Sequence, residues 1–355
     1  MGLVPSALFL FMRIAVDVMG GDHGSSVVID GVKLALESNA KISQLFLVGK
    51  QEEIQAALTR SHFHDPRLKI VHASEVLTMD DKPVEALRKK KDCSILRAVD
   101  LVKEKQAEVV ISQGNTGGIV AASHIRLRPL HGVERPAIAV MMPRVHGEWL
   151  LLDAGANSET TPVQLSQSAV MGSVYYKVMS GNPSPRVGLL SNGSEEMKGN
   201  DLTREALKLC QKLDLNFVGY VEGSDMFHGN VEVVITDGFV GNIVLKTIES
   251  MGKAIQEILK SELTATPTRK LGALIAQKGL RGLKRRMNPD CHGGAQVLGL
   301  NGNVIKVHGS AKAIVIANAI RQTSTAFSTN LNQLIVSEIA RANELLEEMK
   351  TPVHP

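Results

Sequence analysis

Glu108-Val-Val-Ile-Ser-Gln-Gly-Asn-Thr-Gly-Gly118 runs from an apolar stretch into a small, polar, glycine-rich turn, and Ile119-Val-Ala-Ala122 follows it. Val109 to Ser112 reads as a short buried strand, and Ile119 onward as the opening of a helix. Gly114, Gly117 and Gly118 between them leave backbone N–H groups uncovered at a helix N-terminus. Glycine lets an oxyanion approach that backbone without a Cβ in the way, and the helix dipole favours the negative charge. Alone, such a turn is ordinary strand-to-helix punctuation. Its weight comes from repetition along the chain.

Ile14–Met19, Gln44–Gly49, Leu68–His72, Ala137–Met142, Trp149–Leu152, Arg186–Leu190, Phe217–Val221, Val231–Thr236 and Val304–Val307 read as further strands. Helical segments lie between most of them, from about Ser25, Glu52, Ser94, Pro162, Leu202, Ile243 and Ala311. Strands alternating with helices predict an α/β chain with a parallel, doubly wound sheet covered on both faces. Six strand ends carry Gly, Asn, Asp, Lys or His: 20–24, 114–118, 153–157, 191–199, 237–242 and 306–310. Ligands of open parallel sheets bind at that carboxyl edge, so six such loops suggest a cleft for a small anion. Lys198 and Lys306 stand in these loops. Lys246 follows Asn242 by four residues, on the same helix face. Gly20-Gly-Asp-His-Gly24 does not fit a dinucleotide fingerprint, because Asp22 occupies the second glycine position.

Aromatics make up 3% of the 355 residues, so the core is aliphatic and base-stacking nucleic-acid modules are not expected. Cys93, Cys210 and Cys291 form no C-x-x-C, which argues against a disulfide framework or zinc site. Charge is uneven. Lys253 to Arg286 holds nine Lys/Arg against Glu257 and Glu262, a net of +7 in a chain of net +4. Pro267 and Gly279 divide this stretch. Leu271, Leu274 and Ile275 fall on one helical stripe, and Leu280, Leu283 and Met287 on a second, with Arg281 and Arg285 among the interleaved cations. The run of 80–92 with Lys89-Lys-Lys91 reads as a solvated face. Met1–Phe11 is apolar but too short to span a membrane and is read as an extension preceding the fold.

Taken together, these pieces resemble the PlsX family, bacterial acyl-[acyl-carrier-protein]:phosphate acyltransferases. The matching stretches are VDVMGGDHG at 16–24, GNTGG at 114–118, ERPA at 134–137, LLDAGAN at 151–157, MGSVY at 171–175, PRVGLL at 185–190, EEMKGN at 195–200, DGFVGN at 237–242 with LKT at 245–247, GGA at 293–295 and VIKVHGS at 304–310. They follow family order across nearly all of 12–322. Ser191, where the family often has Asn, and Gly118, where it usually has Ala, depart from the pattern.

The resemblance implies a single α/β/α domain over 12–350, related to isocitrate and isopropylmalate dehydrogenases and to phosphotransacetylase. It implies a homodimer that moves a fatty acyl group from acyl carrier protein to inorganic phosphate. The product would feed a membrane glycerol-3-phosphate acyltransferase of phospholipid synthesis. Gly241 stands four residues after Asp237, where dehydrogenase relatives carry a second metal-binding aspartate, so no metal or other cofactor is expected.

On this reading, phosphate or the acyl substrate is held by Asp17, Gly20, Gly21, Asn115, Thr116, Gly117, Asn157, Asp237, Gly241 and Lys246. Lys198, Lys306, His308 and Asn242 serve the chemistry. Which lysine contacts phosphate is open, as is whether His308 takes a proton from phosphate or gives one to the leaving thiolate. A dehydrogenase of the same fold, an acyl-CoA-using transferase and a non-catalytic membrane scaffold remain alternatives. The basic segment over 253–290 is expected to be an amphipathic helical hairpin. Leu271, Leu274, Ile275, Arg281, Leu283 and Arg285 would contact an anionic membrane surface or the acidic carrier protein, making a cytoplasmic protein peripherally membrane-associated.

Overall fold

The computed structural model describes residues 12–286 and 293–348, without the side chains of 284–286 and 324–328. The extension 1–11, Met287 and Cys291 lie outside them. The described residues form two compact units, 12–130 with 293–332, and 131–286 with 333–348.

In the first unit the strands are β1 (Met12–Asp17), β2 (Ile42–Gly49), β3 (Leu68–His72), β4 (Val109–Ser112), β10 (Ala295–Leu298) and β11 (Asn303–Lys306). Their spatial order is β3-β2-β1-β4-β11-β10. All pairs are parallel except β10 with β11. Alternation along the strands sends Ile14, Val16, Leu45, Leu47, Val109, Ile111 and Ile305 into one aliphatic core. That core is closed by α1 (Ser25–Ser38), α2 (Gln51–Arg60) and α12 (Ala313–Ser328). The opposite face is covered by α4 (Ser94–Lys103) and α5 (Thr116–Leu127), with α3 (Pro83–Lys89) against α5.

In the second unit β5 (Ala137–Pro143), β6 (Glu148–Leu152), β7 (Val187–Leu190), β8 (Phe217–Val221) and β9 (Val233–Ile235) lie in the order β5-β6-β9-β7-β8. Only β5 with β6 is antiparallel. The covering helices include α6 (Pro162–Ser180), capped by a Thr161–Gln164 box, and α7 (Asp201–Cys210), capped by Asn200. A short α8 (Gly223–His228) precedes β9, and α13 (Leu331–Glu348) ends the described chain.

The observed architecture is therefore mixed α/β, with antiparallel pairs inside an otherwise parallel arrangement. Strand β10 and helices α3 and α8 were not expected. Helix α3 lies inside the charge run of 80–92; it turns Ala86 and Leu87 inward and leaves Arg88 and Lys89 outside.

Helix α9 (Gly238–Thr264) begins five residues before the expected Ile243. Asp237 caps it, accepting the Phe239 and Val240 N–H groups. It continues through α10 (Pro267–Ile275) into α11 (Gln277–Arg286), and α10 contacts both neighbours. No residue of α10 is buried. Among the described residues no helix is long and apolar enough to cross a membrane.

Candidate active site

Three strands of the first unit end in polar residues that share one register row. Asp17 pairs with Ser112, and Ser112 pairs with Lys306. Residues in register on neighbouring parallel strands point to the same face, so β1, β4 and β11 set these three side chains side by side. All three are buried, Lys306 at 8% exposure. Ser112 Oγ donates to Asp17 Oδ2 at 2.7 Å and accepts the Gly114 N–H at 3.0 Å. Asp17 Oδ1 accepts the Met19 N–H at 3.2 Å. Burial pushes the Asp17 carboxyl above its ordinary value, opposed by the Ser112 hydrogen bond and the Lys306 charge.

The loops after these strands are held against one another. A Cβ on Gly20 would fall 2.3 Å from Gly114 Cα, so the two glycine turns touch backbone to backbone. The Asp22 N–H donates to Gly309 O at 2.9 Å, and Gln113 Nε2 donates to Ala311 O at 3.2 Å. Lys306 Nζ donates to Gln113 O at 3.3 Å and also to Val307 O. Gly21 packs on the Gln113 side chain. His308 is exposed, as are Thr116 and Gly117. The last two begin α5, where N–H groups have no partner within the helix. The loop edge thus presents an exposed histidine and two helix-opening N–H groups, with the Lys306 ammonium buried in the same loop cluster, a set suited to an oxyanion.

In the second unit the organising group is a buried carboxylate absent from the expected set. Asp153 Oδ1 accepts the N–H groups of Ile138, Gly155 and Ala156 at 2.9 to 3.1 Å, and Oδ2 accepts the Asn157 N–H at 2.8 Å. Burial pushes its carboxyl up as well, despite these donors. The loop it shapes meets the start of α9. Gly238 N–H donates to Asn157 O at 2.7 Å, and a Cβ on Gly241 would lie 1.9 Å from Asp153 O. The Asn242 side chain lies beside Gly155 and is exposed, as are Lys246 and Lys198. Ser191 Oγ donates to Asn192 Oδ1 at 3.3 Å.

Several expected contacts take other partners. Asn115 Nδ2 donates to Thr78 O and Met79 O at 3.4 and 3.1 Å, and its Oδ1 accepts Gly118 N–H. Asn157 Nδ2 spends both hydrogens on Pro136 O and Asp153 Oδ2, at 2.7 and 2.9 Å. The sequence marked both as polar loop residues but not that these amides are spent on the fold. Both Asp17 oxygens and Asp237 Oδ1 likewise accept from protein donors. Ser112, Gln113 and Asp153 were not singled out. The available signal was a polar residue ending, or directly following, an apolar strand.

Cys93 and Cys210 are buried. Burial pushes the Cys210 thiol up to about 12 and raises that of Cys93. Neither offers a ready thiolate.

The family model described as fatty acid synthesis protein matches residues 12–334. The chain belongs to that family. A phosphate acyltransferase of Syntrophotalea carbinolica is 41% identical over 335 residues, covering 94% of this chain and 96% of the relative. One from Heliobacterium modesticaldum is 44% identical over 330 residues, covering 92% and 98%. These relatives make the protein an acyltransferase. Among solved structures, a phosphotransacetylase from Streptococcus pyogenes aligns with a TM-score of 0.57 at 19% identity, covering 94% of each chain. A 4-hydroxythreonine-4-phosphate dehydrogenase from Klebsiella pneumoniae aligns at 0.51 and 12% identity, covering 91% of this chain and 100% of that one. At such identities the likeness is one of fold.

Proposed function

We propose that this acyltransferase moves a fatty acyl group from acyl carrier protein to inorganic phosphate, giving an acyl phosphate. The fold is taken as the α/β/α type shared with phosphotransacetylases and the isocitrate and isopropylmalate dehydrogenases. The observation that carries the reading is the Asp17–Ser112–Lys306 row, with its three interlocked loops beneath an exposed edge of N–H donors.

Phosphate oxygens are bound by Lys306 and by the N–H groups of Thr116 and Gly117, over the close-packed Gly20–Gly21 turn. Asp17 shapes the two glycine loops rather than touching phosphate, and Asp237 and Gly241 shape the start of α9. In the second unit, Lys198, Asn242 and Lys246 supply exposed donors for substrate oxygens. Asn115 and Asn157 hold their loops. A phosphate oxygen attacks the thioester carbonyl directly. Thiolate is a good leaving group, so positioning and charge stabilisation are the main tasks. The direct route needs no covalent intermediate, and it calls on no metal or other cofactor.

The test is purified protein with an acyl carrier protein thioester, with and without phosphate, followed by acyl phosphate formation. Phosphate-independent hydrolysis, or activity restricted to acyl-CoA, overturns the assignment. NAD reduction with a hydroxy acid favours the dehydrogenase reading.

Two partner surfaces belong to the proposal. Among residues of α9, only Gly238 and Gly241 are buried, while Phe239, Ile243, Met251, Ile255 and Ile258 stand exposed. This face supports a homodimer, tested by light scattering at micromolar concentration. The α10–α11 segment supports peripheral attachment of a cytoplasmic enzyme to an anionic membrane. There its product would pass to a membrane glycerol-3-phosphate acyltransferase in phospholipid synthesis.

A further inference from the structure

His308 begins the turn that follows β11 and Val307. Its Nδ1 accepts the Ser310 N–H at 3.2 Å and lies 2.9 Å from Ser310 Oγ. A backbone amide only donates, so Nδ1 carries the lone pair and the ring proton sits on Nε2. The Ser310 hydroxyl, sharing that lone pair, is then a donor too. The turn is fixed from both sides. Ala311 N–H donates to His308 O at 3.0 Å, Asp22 N–H to Gly309 O at 2.9 Å, and the Ser310 carbonyl lies 3.2 Å from His23 Nε2. Two donors on one nitrogen and a pinned backbone leave the imidazole one free polar atom, Nε2–H, on an exposed side chain.

We infer that His308 serves acyl transfer as a neutral hydrogen-bond donor through Nε2–H, not as a proton-transfer group, and that Ser310 is the residue that positions it. The inference rests on the acyl-transfer reading above. A general base for phosphate needs a lone pair open to the substrate, and the one on Nδ1 is turned to the Ser310 N–H and hydroxyl. A general acid in this state would have to become an imidazolate. A neutral imidazole can instead polarise an oxygen, a role known for catalytic histidines.

The reaction requires no base. Dianionic hydrogen phosphate already carries the attacking oxygen as an anion. The C–O bond forms, the C–S bond breaks, and the electron pair leaves on sulfur as thiolate, which takes its proton from solvent. What needs stabilising is the carbonyl oxygen as it gains charge, or the phosphate itself, and a fixed N–H does either. Among the described residues, Asp22 and His23 of the β1–α1 loop contact the turn, and Lys306 and Lys312 flank it in sequence.

Two measurements decide it. Long-range 1H–15N spectra of the ligand-free protein at neutral pH should show His308 with a bare Nδ1 and a protonated Nε2. This readout is independent of turnover. In the thioester assay, His308→Gln keeps an N–H donor near the Nε2 position and should stay within about tenfold of wild type, while His308→Ala should lose about 100-fold. Ser310→Ala should lower kcat about fivefold with KM for phosphate little changed, and Ser310→Thr should restore it. An Nδ1–H ring, a His308→Gln variant as inactive as His308→Ala, or a silent Ser310→Ala overturns the inference. A wild type with no phosphate-dependent turnover overturns the acyl-transfer reading itself, whatever tautomer the spectrum reports.

Discussion

Ser112 Oγ donates to Asp17 Oδ2 at 2.7 Å while accepting the Gly114 N–H at 3.0 Å, so one hydroxyl couples two strand ends and the glycine turn above them. The carboxylate it serves is buried. Both oxygens of Asp17 hold protein groups, and through them the loops of 18–24 and 113–117 keep their relative positions.

That burial gives Asp17 a pH signature. Its folded pKa lies above the ordinary 3.8, with desolvation the largest cause. A carboxyl that binds its proton more tightly when folded contributes stability that is full below the unfolded pKa. The contribution is lost as pH rises through the folded one. Asp17→Asn removes the titration while keeping the shape. The stability difference, wild type minus variant, should therefore fall as pH rises above the ordinary 3.8 and flatten once pH has passed the raised folded value. Thermal melts of both proteins across that range measure it. Parallel curves would mean that Asp17 titrates as an ordinary carboxyl.

Lys306 ends the third strand of the same row, and its ammonium is held at Gln113 O and Val307 O. Lys306→Ala is expected to cut kcat/KM for phosphate by about 100-fold, the usual cost of losing one donor to developing negative charge. Far-UV circular dichroism should be unchanged, since the strand pairs through its backbone. A variant with wild-type kcat/KM would remove this loop from the chemistry.

How much of this was legible beforehand follows from which interactions are local. RIAVD, VVIS and NVIK each announce a buried strand ending in a polar residue, and Lys306 and His308 stand out in that setting. That Asp17, Ser112 and Lys306 share one row is a property of strand register, which no single segment encodes. Asn115 and Asn157 look like free donors in sequence, yet their partners are carbonyls 36 and 21 residues away. Helix α9 was read as starting late because Gly238 and Gly241 resemble loop residues. They are glycines inside a helix because another backbone approaches there. Strand β10 escaped notice because Ala295–Leu298 is only four residues long and directly follows Gly293-Gly294.

The close approach at α9 makes a stability prediction. Gly241→Ala would place its Cβ 1.9 Å from Asp153 O, a backbone atom that cannot rotate away. The substitution should cost about 3 kcal/mol, the upper end for overpacking a filled site. Gly252, in the same helix, has nothing within 4 Å of a new Cβ. Gly252→Ala should be neutral or stabilising by about 0.5–1 kcal/mol. Urea denaturation of the two variants gives the comparison, and equal midpoints would show that the α9 start has room to shift.

The basic segment has the furthest-reaching test. Leu271, Leu274, Ile275 and Leu283 are 61%, 64%, 80% and 43% exposed, so these four side chains are not core. Arg269 pairs with Glu262 at 2.6 Å, while Lys270, Lys278 and Arg281 are exposed beside the leucines. Arg285 is helical, but its side chain lies outside the described residues. A cationic helix with an apolar face binds the headgroup boundary of an anionic bilayer, each basic residue near the surface contributing about 1 kcal/mol. Wild-type protein should float with vesicles containing anionic lipid, and less so at high salt. Leu274→Glu with Leu283→Glu should abolish flotation while leaving turnover of a soluble thioester unchanged. If flotation survives both changes, the apolar stripe is not what meets the lipid. If the wild type does not float and the double variant instead loses activity with carrier protein thioester alone, the same face docks the acidic carrier, and membrane attachment must come through another partner.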